Sequence, residues 1–304
     1  MSISYPERRR YLIGYAFVLL MVASATLLHD TEIILPEIGA LTAGTWIYQT
    51  DGWIQQPLKI FLAPSGTAII GFLINQLPMV YPEKVLLGLL LMLVLLWQLR
   101  SNLAPAFATG LLPIIINATH WSFIVAILIF TLLLMLGVFS QQQYRSAQPS
   151  APIHYRHMAI FTGLVIVWVG AVWLAGKPQM AGIPPVMVVF FEVLQKPSYS
   201  LKMAGKHLVA LTGAASIGVL VHLALAPVFL ATLVALPLVF GLLQLLKLKL
   251  PAAYAFPLLA LVLPNEMFHL LPLTAFLAAS FFLGVLVVLK RLNWRPAEQE
   301  EFND

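Results

Sequence analysis

The chain has 304 residues, 61% of them hydrophobic and 10% charged, with a net charge of +5 and a mean hydropathy of +0.92. Too little polar surface is left to coat a water-soluble particle, so a soluble enzyme is excluded and lipid is the solvent for most of the chain. The absence of cysteine removes disulfides, thiolate metal sites and cysteine nucleophiles together.

In chain order, twelve apolar stretches are predicted as helical segments: 11–28, 33–48, 60–77, 85–99, 103–116, 121–139, 158–174, 182–194, 208–223, 227–246, 250–263 and 270–289. The expected fold is all-α, a polytopic helical membrane protein of about twelve transmembrane segments. The fourth, fifth, eighth and eleventh stretches are short. Pro105 and Pro113 interrupt the fifth, and Pro251 and Pro257 the eleventh, so hydropathy alone does not separate a short span from a re-entrant hairpin. Charge separates them better. With twelve crossings and a cytoplasmic N-terminus, 15 of the 17 Lys and Arg residues fall inside and only Lys84 and Lys177 outside. Treating stretches 2, 5, 8 and 11 as re-entrant makes the split almost even. The basic charge is therefore read as a topology determinant, with both termini cytoplasmic in the plasma membrane and no nucleic-acid partner. Arg8 to Arg10, the apolar run and Ala23-Ser24-Ala25 imitate a cleavable signal peptide, but the run continues to Leu28 and reads as a retained span.

The sequence matches itself without gaps at an offset of 147. Lys59, Ala63, Gly66, Ala68, Ile70, Gly71 and Leu73 recur as Lys206, Ala210, Gly213, Ala215, Ile217, Gly218 and Leu220, seven identities in fifteen positions. Leu103, Ala106, Ala108, Leu111 and Leu112 pair with Leu250, Ala253, Ala255, Leu258 and Leu259 in the same way. This predicts a first transmembrane repeat over 1–139, a polar cytoplasmic linker over 140–157, a second repeat over 158–292 and a charged tail over 293–304. Six segments per repeat give both halves one orientation, related by a pseudo-two-fold axis along the membrane normal.

Ionisable groups at membrane depth are the first functional candidates. Glu37 follows Pro36 well below Glu32, as a proton or substrate carrier or as a helix cap or interhelical hydrogen-bond partner. Glu192 stands four residues before Lys196 and reads as an interfacial ion pair. Asn75 and His222 are equivalent across the offset, at a cavity rim or the outer interface. Lys59 and Lys206 are positive-inside anchors or, less simply, an anion funnel. Small residues around Ser65-Gly66 and Thr212-Gly213 allow either close helix approach or a helix break, and Pro105 opens one of the short segments. Glu266 with His269, and His154 with His157, have helical ligand spacing, but each pair is single. Phosphate-loop, His-Glu-x-x-His and Gly-x-Ser-x-Gly patterns are absent, so no catalytic residue, metal or cofactor is expected. Trp121 and Trp294 fit interfacial belts.

The succession Phe190-Phe191, Lys196-Pro197-Ser198, Gly205-Lys206-His207-Leu208, Ala214-Ala215-Ser216-Ile217-Gly218 and Leu250-Pro251-Ala252-Ala253-Tyr254-Ala255 resembles the HPP family of integral membrane proteins. The first half repeats it through Gln56-Pro57-Leu58-Lys59, Gly66 to Gly71 and Leu103-Ala104-Pro105-Ala106. The His-Pro-Pro motif itself is absent, its place taken by Leu250-Pro251-Ala252 and Leu103-Ala104-Pro105, so no role of that histidine carries over. The resemblance implies a small helical membrane module, some of whose members are linked to nitrite transport. The expected function is a secondary transporter or permease for a small solute, an anion such as nitrite or an organic acid, by alternating access between the repeats. The alternative is a non-transporting membrane scaffold or regulatory subunit. The partners expected are the lipid bilayer and a small-molecule or ion substrate, with a homo-oligomer left open.

Overall fold

In the computed structural model, residues 5–147 and 155–292 are described. The whole tail over 293–304, with Trp294 in it, and residues 148–154 of the predicted linker, with His154, lie outside the described residues. The described chain is helical throughout, with no strand. In order, its helices are α1 (Tyr5–Leu28), α2 (Pro36–Thr42, continued by a π turn over Ala43–Ile47), α3 (Asp51–Ile54), α4 (Pro57–Asn75), α5 (Tyr81–Gln98), α6 (Pro105–Ile115) and α7 (Trp121–Gln141). Then come α8 (Tyr155–Leu174), α9 (Pro184–Leu194), α10 (Leu201–Ala224), α11 (Val228–Leu246), α12 (Ala255–Val262, led in by a 3-10 turn Pro251–Tyr254), α13 (Asn265–Phe268) and α14 (Leu271–Arg291).

Eight of these, α1, α4, α5, α7, α8, α10, α11 and α14, are long and apolar enough to cross a membrane. This is the architecture of a multi-pass membrane protein. Each long helix buries one side and exposes apolar residues on the other; α5, for example, turns Leu90, Leu91, Val94 and Trp97 outward. In a soluble protein such a surface would be a liability, but here lipid is its natural contact.

The remaining apolar segments, α2, α6, α9 and α12, are short. The predicted fourth stretch, by contrast, is a full-length helix. It begins at Tyr81, four residues before the hydropathy boundary, because Pro82, Glu83 and Lys84 occupy a first turn where polar groups are tolerated and an acidic side chain faces the helix N-terminus favourably. The second stretch is shorter than its hydropathy suggests, since Ile34 and Leu35 are extended and the helix starts only at Pro36.

All four short segments start with proline, at Pro36, Pro105, Pro184 and Pro251. Proline fits the first helical position because its missing N–H has no intrahelical partner there. Before three of the four, Leu35, Ile183 and Leu250 lie outside helical geometry, as a residue preceding proline should. Every residue of α2 and α6 is buried. Helix α6, apolar but for Thr109, belongs in the interior on that ground, whereas α2 takes Glu37 and Thr42 in with it.

The short helices start at mid-depth. The Leu35 N–H lies 3.4 Å from the Met21 sulfur, and Met21 is about 10 Å along α1 from its end at Leu28. On the far side of the fold, Trp168 Nε1 donates to the Met180 carbonyl (3.2 Å), placing the entry to α9 about 9 Å below the end of α8. Helix α6 runs in register with α4, with Thr67 Oγ1 and Thr109 Oγ1 2.8 Å apart and Asn75 bonded to Asn117, so Pro105 lies level with the middle of α4. Gly218 against Pro257 and Phe256 sets α12 likewise on the middle of α10. Thus α2 and α9 run from mid-depth toward the end where α1 and α8 begin, and α6 and α12 run toward the opposite end. The first of these ends carries Arg10, Lys59, Lys206 and Lys290 and is called the basic end below.

Element bounds and contacts recur 147 residues apart. The shift carries α4 onto α10, α5 onto α11 and α7 onto α14 within three residues at each end. A Cβ on Gly66 would stand 2.7 Å from Leu95 Cδ2, and one on Gly213 would stand 2.8 Å from Leu242 Cδ2, the same pair one shift later. Gly71 abuts the Gly110 carbonyl, and Gly218 abuts Pro257. Arg100 and Lys247, again equivalent, both adopt left-handed backbone with φ of 49° and 53°. The halves also interlock. α2 packs on α12 and its lead-in turn, while α9 packs on α6, so one continuous buried core draws on both.

Candidate functional site

The centre of the molecule is where the four short helices overlap. The residues just before their first turns, Leu35, Ala104, Ile183 and Leu250, supply no side-chain cap, and backbone bonds such as Ala106 N–H to the Leu103 carbonyl and Phe107 N–H to the Ala104 carbonyl close the first turn of α6. An α-helix leaves its first N–H groups without intrahelical partners, and these ends carry partial positive charge. Glu37, at the second position of α2, is the acidic residue among them. Its side chain is 1% exposed. One carboxylate oxygen turns back to its own backbone N–H, and Oε2 is buried with no partner among the described residues. Farther along the same helix, Thr42 Oγ1 is also buried and unpartnered.

Glycine sets how α2 sits on α12. A Cβ at Gly39 would stand 2.8 Å from Leu258 Cδ1 and 3.0 Å from the Tyr254 carbonyl oxygen. Around this crossing gather four tyrosines. Tyr48 OH and Tyr254 OH are 3.3 Å apart, Tyr15 OH donates to the Leu236 carbonyl (3.4 Å), and the Tyr11 ring meets those of Tyr15, Tyr48 and Phe240 edge-on. The related crossing of α9 with α6 is built from Phe107, Phe161, Phe190 and Phe191, with centroids 4.7 to 5.4 Å apart. One crossing is thus lined by hydroxyls and the other by phenyl rings.

The ten residues singled out from the sequence do not form one cluster. Ser65, Gly66, Pro105, Thr212 and Gly213 lie near mid-depth with Glu37. Ser65 Oγ and Thr131 Oγ1 are 3.3 Å apart, whereas Thr212 Oγ1 has no partner among the described residues. Gly66 and Gly213 serve close helix approach rather than a helix break, since α4 and α10 are continuous through them. Asn75 ties the end of α4 to the loop after α6 through Asn117 and the Ala118 carbonyl, and its own carbonyl accepts from Lys84 Nζ (2.7 Å). His222 packs edge-on against Phe268.

Lys59 and Lys206 cap helix ends. Lys59 Nζ donates to the Arg100 carbonyl just beyond α5, and Lys206 Nζ to the Leu246 carbonyl at the end of α11 (2.8 Å). An ammonium at a helix C-terminus satisfies a carbonyl left over by the helix and favours its negative pole. Replacing Lys206 by Met should therefore lower stability by about 1 kcal/mol, the upper scale of a cation at a partly exposed helix C-terminus. An unchanged melting temperature would show that Lys206 does not cap α11.

The opposite end is tied by carboxylates that the sequence reading passed over. Glu32 accepts from the Thr119 and His120 N–H groups (3.0 and 2.9 Å) just before α7. Asp30 accepts from Ser122 Oγ and from the Glu32 N–H. Burial alone would raise the Asp30 carboxyl, but these hydrogen bonds and nearby His120 outweigh it and hold it below its usual value. Its contribution is therefore present above the ordinary carboxylate range and fades as pH falls through the lowered value. His120 sits with this pair, at 3.6 and 3.8 Å, and not with Glu37. Glu192 receives a hydrogen bond from Trp53, and Lys196 acts on it by charge without an ion pair within 4.0 Å among the described residues. Glu266 and His269 join no group of three or more metal-ligating residues among those described.

Comparison with protein-family models, curated proteins and solved structures finds no match to this chain.

Proposed function

We propose that the protein is a secondary transporter or permease for a small solute, by preference a small anion, working by alternating access between two six-segment repeats. The observation that carries this reading is the convergence at mid-depth of the positive ends of four short, proline-initiated helices, beside a buried carboxylate with a free oxygen. Irregular backbone and broken helices are tolerated at membrane depth where they line a polar path, and paired short segments in corresponding positions of two halves mark such paths. Helix N-termini favour a negatively charged guest. The recurrence at 147 residues, in both helix bounds and glycine contacts, supports two repeats over 1–139 and 158–292. In this reading each short helix completes a crossing begun by its extended lead-in, giving twelve passes in a plasma membrane with both termini cytoplasmic. The basic end is then the cytoplasmic one.

The tyrosine-lined crossing of α2 with α12 is the polar route, and the phenylalanine-lined crossing is its closed counterpart. The likeness to the HPP family enters at this level only, as a suggestion of nitrite or short organic acids among the solutes to try.

The test is flux into liposomes holding the purified chain and an internal pH-sensitive dye, scanning nitrite, nitrate, formate, short organic acids and neutral solutes. Saturable movement of one anion class over protein-free liposomes is expected. No flux across the panel by folded, correctly inserted protein would move the reading to a membrane scaffold.

A further inference from the structure

The geometry points to a binding site for a phosphate-bearing anion, the headgroup of an anionic phospholipid, at the basic end of the molecule. It does not rest on the transport reading. Between the start of α1, the end of the π turn after α2 and the last turns of α7 lies a cavity of about 730 Å³. That is within the range of about 300–1,000 Å³ typical of ligand pockets. Arg9 and Arg10 both line it, and no carboxylate does among the described residues.

The polar groups of the wall bond to one another. The Arg10 guanidinium donates to Gln49 Oε1, and Gln49 Nε2 donates to Gln141 Oε1 (2.8 Å). Each amide oxygen thereby accepts one hydrogen bond within the wall. Arg10 Nε is buried without a partner among the described residues. What the cavity chiefly offers a guest is donors, two of them guanidinium groups, which match a phosphate better than any other side chain does. Its floor is rigid, because the Trp46 indole N–H is held by the Leu134 carbonyl (3.0 Å) and the ring sits against Gly137, where a side chain would collide with it.

The rim decides for a lipid as the source of the phosphate. Tyr5 and Ile13, on the flank of α1, are 84% and 46% exposed. Arginines at a membrane boundary gather anionic headgroups, at about 1 kcal/mol each. A phosphodiester seated on Arg9 and Arg10 can lay its acyl chain along Ile13 without leaving the bilayer.

The test uses the full-length purified protein in detergent, with phosphatidylglycerol, phosphatidylcholine or inorganic phosphate added. Bound lipid is counted by native mass spectrometry, and thermal stability is followed in parallel. Phosphatidylglycerol should be retained about thirtyfold better than phosphatidylcholine, as two arginine contacts require, and R9Q/R10Q should erase the preference. Ser140 is exposed on the last turn of α7 and lines the same cavity, so it can be altered without touching the arginine network. S140E should weaken phosphatidylglycerol retention about tenfold by placing a carboxylate beside the guanidinium groups, while S140Q should leave it unchanged. Protection by inorganic phosphate equal to that by phosphatidylglycerol, and lost in S140E, would keep the phosphate site but make a free anion its guest. Equal retention of the two lipids with no effect of phosphate, or identical behaviour of S140E and S140Q, would overturn the proposal.

Discussion

Gly71→Ala is expected to cost the protein its fold. Position 71 lies where α4 crosses α6 with backbone on backbone, and a Cβ there would overlap the Gly110 carbonyl. A carbonyl cannot swing aside as a side chain can, so the helices must separate, and with them the Thr67–Thr109 bond that holds their register. Overpacking of this kind costs about 1–3 kcal/mol where neighbours can give, and more where the obstacle is backbone. The expected outcome is loss of the monodisperse peak on size exclusion, or a melting temperature too low to measure. Gly218→Ala, against Pro257 Cα at 2.8 Å, should be milder but in the same direction. Gly163→Ala and Gly170→Ala, with nothing within 4 Å of the added carbon, should be silent. Equal melting temperatures for Gly71→Ala and Gly163→Ala would show that α4 and α6 are not in this contact.

These glycine contacts also show which parts of the fold were legible in the sequence. Gly66, Gly71, Gly213 and Gly218 stand out because glycine is costly inside a helix, so its recurrence at a fixed offset is informative where leucine recurrence is cheap. Eight of the helices are readable from hydropathy and length, because lipid demands an unbroken apolar run. The second and fourth stretches are misjudged for complementary reasons: one counts the extended residues Ile34 and Leu35 as helix, and the other discards the polar first turn of α5. Left-handed helix ends at Arg100 and Lys247 give no local signal, since basic residues occupy positions where glycine is the usual mark.

At the candidate site, Glu37 is visible as a lone acid in an apolar stretch, but its surroundings are not. The tyrosine crossing joins Tyr11 and Tyr15 of α1 to Tyr48 and Tyr254, the last more than 200 residues away, and no periodicity in one helix predicts what packs on it from another. The same holds for Lys59 and Lys206. Their equivalence is plain in the sequence, while their use as caps depends on where Arg100 and Leu246 end their helices in space.

Glu37→Gln separates the two roles open to that carboxyl. The substitution keeps size, burial and an oxygen able to accept from the residue's own N–H, so a capping role survives; its NH2 group takes the place of Oε2, which has no partner among the described residues, and the cost in stability should be about 1–3 kcal/mol, that of a buried unpaired donor. What it removes is the ability to gain and lose a proton. Charging the native carboxyl in place leaves a desolvated anion with a free oxygen and no ion pair among the described residues, an arrangement worth keeping in a membrane only if something is gained by it. If the carboxyl carries the coupling proton, Glu37→Gln should reduce solute flux at least about tenfold, as the loss of a proton-transfer group does, and flatten what remains against pH. Glu37→Ala should lose both flux and stability, because it also uncaps α2. Flux in Glu37→Gln that keeps the wild-type rate and pH profile would confine Glu37 to capping, and the N-termini of α6, α9 and α12 would then have to bind the anion without its help.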